Sequence, residues 1–111
     1  METVTVTADQ NPNYNTDPGN DTQDKVFLLS IDEVNRYFAA DDVRVCMPTQ
    51  TAVANGAWPD DVGACWWWLR SPGRNSKSAA RVLSDGSVYD YGNRVIRVNG
   101  TVRPVVVLRL T

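Results

Sequence analysis

The chain has no histidine. That removes histidine-based acid–base catalysis, Ser-His-Asp triads and most zinc sites. It has only two cysteines, Cys46 and Cys65. They lack the CxxC spacing of a redox or zinc motif. One disulfide in an exported domain and two buried thiols both fit, because free cysteine packs as a small hydrophobe. No apolar run approaches the ~18 residues of a membrane-spanning helix, so no membrane insertion is expected. The opening METVTVTADQ lacks the basic start and apolar centre of a secretory signal, so export would use a signal upstream or another route. Calcium takes roughly six to eight oxygen ligands. Two close acid pairs, Asp41-Asp42 and Asp60-Asp61, each read as loop or helix-end charge. No metal and no cofactor is expected.

What is present suits one small domain. The 111 residues are 42% hydrophobic, enough for a modest core. The net charge of −2 is ordinary, but its placement is not. Residues 1–24 carry five acids and no base, whereas residues 62–111 carry eight bases and two acids. Those bases are solvated strand and loop residues, or they suit an acidic partner. No nucleic-acid motif accompanies them, so no nucleic acid is expected as a partner.

Residues 8–24, ADQNPNYNTDPGNDTQD, are almost free of apolar side chains. Such a stretch buries too little surface to offset its ordering entropy. Residues 1–23 are therefore expected to be a flexible arm or linker, with a short strand over 2–7, and residues 24–111 the folded domain. Lys25–Leu29 reads as a strand. Ser30 and Glu33 form a capping box ahead of a two-turn helix. Val43–Met47 reads as extended, and Thr49 caps a second helix that Asn55-Gly56 stops. Short strands follow: Cys65–Leu69 broken by Ser71-Pro72-Gly73, Ser78–Ser84, Ser87–Tyr91, Arg94–Val98 and Val102–Leu110. Asp85-Gly86, Gly92-Asn93 and Asn99-Gly100 supply the turns. The expected fold is α+β, two short helices followed by a small antiparallel β-meander. Val102–Leu110 is apolar on both sides and is expected to be central, paired with Val26–Leu29. Pro104 should take an edge, a bulge or a strand start.

The order KVFLLSIDEV, Pro48-Thr49, WWLRSPG and finally VRP resembles an uncharacterised bacterial domain family at the ends of larger gut-bacterial and phage-associated proteins. Over residues 24–111 that order of elements is similar to a compact C-type-lectin fold, and residues 1–23 lie outside it. The resemblance implies a scaffold that binds sugars, proteins or receptors on a cell surface or virion. Some members of the fold are diversified by retroelements on their last strands and loops. The Glu-Pro-Asn, Gln-Pro-Asp and Trp-Asn-Asp signatures of calcium-dependent sugar binding are missing here. The signature residues Trp67, Trp68, Leu69, Arg70, Arg103 and Pro104 are read as structural.

Strand alternation sends Trp66, Trp68 and Arg70 one way and Trp67 and Leu69 the other. Trp67 and Leu69 are expected in the core, and Trp68 packed. Arg70 is expected as an internal clamp, stacked on Trp68 and bonded to carbonyls or an acid. Trp66 is the expected exposed aromatic. Arg74, Asn75, Ser76 and Lys77 form a polar loop, and Tyr89, Tyr91 and Asn93 surround a turn. Tyrosines among Arg, Asn and Asp have the composition of binding loops. Together with Trp66, and with Arg97 extending the face, these residues are the expected ligand-binding set. No catalytic residue is expected. The leading expectation is a non-catalytic recognition module, an adhesin or receptor-binding domain with a protein or glycan ligand. A structural end domain is the alternative, and after it a reduced relative of the formylglycine-generating oxidases, whose cysteine pair Cys46 and Cys65 suggest.

Overall fold

Ser30 starts the first helix by the chemistry its neighbours predict. Its Oγ accepts the Glu33 N–H, and the Glu33 carboxylate accepts the Ser30 N–H at 3.1 Å. Each side chain satisfies a donor that a helix start leaves free. This helix, α1, spans Ile31–Tyr37 and buries Ile31 and Val34. Thr49 caps α2, Gln50–Ala54, by accepting the Ala52 N–H at 3.0 Å. The structure is a computed structural model and describes residues 1–110.

Two antiparallel sheets complete an α+β domain. β1 (Val4–Val6) pairs with β2 (Thr22–Asp24). β3 (Trp67–Pro72), β4 (Ser78–Val82) and β5 (Val88–Arg94) form a meander with β4 in the middle. Burial alternates along β3 and β4 as a one-sided sheet requires. Trp67, Leu69, Ala80 and Val82 pack inward against Leu29, Ile31 and Val34. The Trp67 indole N–H donates to the Arg44 carbonyl at 3.0 Å, so its one polar atom is satisfied. Truncating a tryptophan so placed to alanine costs roughly 3–5 kcal/mol.

Several boundaries differ from expectation, each for a local reason. Asp41–Arg44 is a 3₁₀ turn, so the extended piece expected over Val43–Met47 begins only after it. Ser71 and Pro72 extend β3 and the strand stops only at Gly73; the pairing becomes irregular between Trp68 and Pro72, which admits a residue without an N–H. Gly92 does not turn the chain either. It lies within β5 at φ +80°, pressed on the Ala79 carbonyl, where any Cβ would collide. The register shifts there between Ala79 and Arg81, as in a bulge. Arg94 consequently ends β5, and the strand expected over Arg94–Val98 is instead a turn at residues 95–96 followed by irregular chain, with the Val95 N–H on the Lys77 carbonyl at 3.0 Å.

The ends of the domain do meet, but narrowly. Phe27 and Val105 form one antiparallel bridge, with N–H···O distances of 3.1 and 2.7 Å. Val102–Leu110 is not a central strand: Val106, Val107, Leu108 and Leu110 are exposed. Apolar residues on both sides of a strand suggest two covering layers, and the second layer is not supplied.

Residues 8–21 hold no helix or strand, as their composition suggests. They are nevertheless tied to the domain. Asn11 is 2% exposed, and its Nδ2 donates to the Pro72 and Asp90 carbonyls at 2.9 and 2.7 Å. Its Oδ1 accepts the Asn13 N–H, so the whole amide is satisfied. Thr16 donates to the Gly73 carbonyl at 2.8 Å. The arm thus runs along the meander instead of trailing from it.

Candidate functional site

The pairing register sets one row across the outer face of the meander. Trp68 on β3 lies opposite Arg81 on β4, and Arg81 lies opposite Tyr89 on β5. Tyr91 follows two residues on, on the same side as Tyr89 by strand alternation. The two rings are 6.0 Å apart and tilted by 51°. They are 38% and 42% exposed. Arg74 lies over the Tyr91 ring at 4.2 Å, and its N–H donates to the Tyr91 carbonyl at 3.0 Å. Tyr14 of the arm meets Tyr91 edge-on at 6.0 Å.

Arg81 sits in the middle of this row. Its guanidinium lies 4.8 Å from the Trp66 ring and 5.4 Å from the Tyr89 ring. Its Nε is buried with no hydrogen-bond partner. Burial pushes its pKa down, opposed in part by Tyr89. Ion pairs among the described residues go to Arg36, Arg44, Arg70 and Arg109. Arg74, Lys77, Arg81, Arg94, Arg97 and Arg103 have none there.

The expected ligand-binding residues divide into three groups. Arg74, Tyr89 and Tyr91 come together. Asn75 and Asn93 lie close in the chain to that face but hold its turns. The Asn75 Oδ1 accepts the Lys77 N–H at 3.0 Å and the Ser78 hydroxyl at 3.1 Å. The Asn93 Oδ1 accepts the Arg94 N–H at 3.0 Å. Ser76 and Lys77 are exposed on the loop between β3 and β4. Arg97 belongs to a different feature, a groove of about 560 Å³ beside α2, which Trp68, Cys46 and Met47 also line.

Trp66 is a correction. It was expected to be exposed, but it is 8% exposed and packs edge-on against Trp68, with ring centres 4.6 Å apart. Gly100 lies so close to its indole that a Cβ there would collide. The tryptophan at the surface is Trp58, 74% exposed beyond α2. Trp67 and Leu69 are buried, Trp68 half-buried. The Arg103 guanidinium covers the Trp67 ring at 4.9 Å and Phe38 at 5.8 Å, and Pro104 is exposed.

Arg70 is the clamp its motif suggests, with one change of partner. Its side chain is 15% exposed. It donates to the Leu28 carbonyl at 2.8 Å and the Thr7 carbonyl at 3.1 Å, and it pairs with Glu33 and Asp9. Its aromatic neighbour is Phe27, at 5.8 Å, and not Trp68.

Four residues escaped the sequence reading: Asn11, Tyr14, Trp58 and Arg81. For Arg81 a signal existed, a lone charge in the middle of the apolar strand SAARVLS. Its register against Tyr89 would have joined it to the tyrosines.

A family profile settles the kinship. The chain belongs to the DUF6273 family. The family is described as a domain of unknown function, and the match covers residues 1–110. This DUF6273 domain therefore includes residues 1–23, which were expected to lie outside the resemblance. No curated protein and no solved structure matches the chain. Both cysteines of the DUF6273 domain are free thiols. Burial raises the pKa of Cys65, which disfavours the thiolate that cysteine chemistry uses. Among the described residues no group of three or more Cys, Asp or Glu side chains converges to hold a metal ion.

Proposed function

We propose that this domain is a non-catalytic recognition module, and that the outer face of the meander is its binding surface. The observation that carries the reading is the pair of exposed rings, Tyr89 and Tyr91, with Arg74 stacked on one of them. Aromatic and arginine side chains supply most of the binding energy in typical interfaces. Here the tyrosines stand on β5 and the backbone N–H of Arg74 ties its loop to the Tyr91 carbonyl, so little conformational freedom is lost on binding. The asparagines beside them hold the turns rigid. The raised pKa of Cys65 favours this reading over a cysteine oxidase.

The biological setting that fits is a bacterial surface or phage protein with a protein or glycan receptor, in the manner of an adhesin on a lectin-like scaffold. The test is binding of the full chain to intact bacterial cells and to a glycan array. Replacing Tyr89 and Tyr91 together by alanine should abolish binding at unchanged melting temperature. Equal binding by the double variant would transfer the function away from this face and favour a structural end domain.

A further inference from the structure

The buried arginines of this fold differ in one respect. Arg44 donates to the Gly86 carbonyl at 2.7 Å and the Phe38 carbonyl at 2.6 Å, and pairs with Asp41. Arg70 is saturated in the same manner. Arg81 and Arg103 each keep one buried nitrogen without a partner and have no ion pair among the described residues. Of the two it is Arg81 that lies beside an exposed tyrosine, while Arg103 covers the core ring of Trp67. Buried polar groups in folded proteins are normally satisfied, so an exception asks for an acceptor from elsewhere.

Among the described residues no acid pairs with Arg81. Asp90 is the acid nearest in sequence to the tyrosines. Strand alternation turns it to the opposite side, where Asn13 donates to its carboxylate. Asp85 is held by the Ser87 N–H and hydroxyl at 2.9 and 2.6 Å. The face is therefore cationic without internal compensation.

Geometry narrows the acceptor further. Arg81 lies at the Tyr89 ring and Arg74 at the Tyr91 ring, and those rings are 6.0 Å apart. In an extended chain, side chains two residues apart share a face and repeat at roughly 7 Å. Two cations set over adjacent rings thus match acids at alternate positions. The 51° tilt between the rings does not present the flat platform that a stacked sugar uses.

We propose that this face binds an extended acidic protein segment, with alternate carboxylates received by Arg81 and Arg74. The inference rests on the recognition reading and names its ligand class. Arg81 acts as the specificity residue and Tyr89 and Tyr91 as the apolar walls.

The test uses a fluorescent Glu-Thr-Glu-Thr-Glu-Thr-Glu peptide, its Gln counterpart and a polysialic acid chain, each titrated into the full-length chain by anisotropy. The Glu peptide should bind, and the Gln peptide should bind at least about tenfold more weakly, the scale of losing one good contact. Arg81→Met and Arg74→Met should each lose about tenfold. Arg97→Met, at the separate groove, should lose less than about twofold. Arg81→Lys should fall between, because an ammonium keeps the charge but not the fork. The Glu-to-Gln comparison changes only the peptide, so it stands even where a variant folds poorly. Equal binding of Glu and Gln peptides overturns the proposal, as does an Arg81→Met variant with unchanged affinity. Capture of polysialic acid without capture of the peptide also overturns it. If the tyrosine double variant loses a cell or glycan ligand while the Glu peptide never binds, recognition stands and the acidic segment falls. If no ligand responds to the tyrosines, both fall.

Discussion

Arg70 on β3 spends its donors on Thr7, Leu28, Asp9 and Glu33, four residues from the arm, α1 and the Lys25–Leu29 stretch, which makes one bridge at Phe27 in place of the expected strand. Arg81, one strand away on β4, touches rings and no acceptor through its Nε. Both guanidiniums are held on the same small sheet. One closes the fold, and the other leaves hydrogen-bonding capacity unused. A charge that is internally matched fixes structure. A charge left unmatched among exposed aromatics is available to a partner. The contrast separates the half of the molecule that holds itself together from the half that faces outward.

The largest effect should come from Arg70→Ala. It strands the Glu33 carboxylate and two carbonyls in a mostly buried setting, where breaking one partner of a pair costs about 3 kcal/mol or more. The urea midpoint measures this. Arg70→Lys should recover only part, since an ammonium does not span acceptors in a fork. A midpoint equal to the parent's would end the claim that Arg70 closes the fold.

Asn11→Ala comes next. It leaves the Pro72 and Asp90 carbonyls without donors, which should cost about 2 kcal/mol. Proteolysis should then cut residues 8–21 faster while β3–β5 stay protected. If the cutting rate is unchanged, the arm is held by something other than this amide.

Asn11 also shows where sequence reading stops. The capping box at Ser30 and the N-cap at Thr49 are decided within four residues, and both were legible. Trp67 and Leu69 followed from strand alternation, and Arg70 from its motif. Asn11 acts on residues 61 and 79 positions away, through backbone carbonyls that any residue would offer. Composition alone made its segment look like a free arm. Trp66 misled for a related reason: alternation gives its side, but Gly100, far along the chain, decides that the side is covered. The shared side of the two tyrosines was legible because it depends on β5 alone, whereas the cover that Arg74, Arg81 and Tyr14 give their rings was not. Their partner Arg81 was legible only as a lone charge in an apolar strand, although the Asp85-Gly86 turn sets its register against Tyr89 before the pairing becomes irregular.

Asp9 sharpens the contrast through pH. Burial works against its charge, but hydrogen bonds from Ser30 and Thr7 and the charge of Arg70 outweigh that, and its pKa is lowered from 3.8. A depressed folded-state pKa means the stabilisation is complete above the unfolded value and fades as pH falls through the folded one. Asp9→Asn should therefore be less stable at neutral pH and lose less on acidification below about pH 4. Denaturation midpoints across that range decide it. Parallel acid limbs in the two proteins would detach Asp9 from the Arg70 cluster.

Arg81→Met should give the smallest change, and its smallness is the point. The substitution removes a cation stacked on Trp66 and Tyr89, a loss of roughly 0.5–2 kcal/mol. It also removes a buried donor without a partner, a relief of roughly 1–3 kcal/mol. Methionine fills a similar volume and sits well against aromatic rings. The opposing contributions nearly cancel, so the urea midpoint should stay within about 1 kcal/mol of the parent's, on either side. The same change at Arg70 lacks any such relief, because every contact there is matched. A loss at Arg81 as large as the loss at Arg70 would mean that Arg81 is a structural clamp after all. The outward-facing half of the comparison would then fail, and the acidic ligand with it.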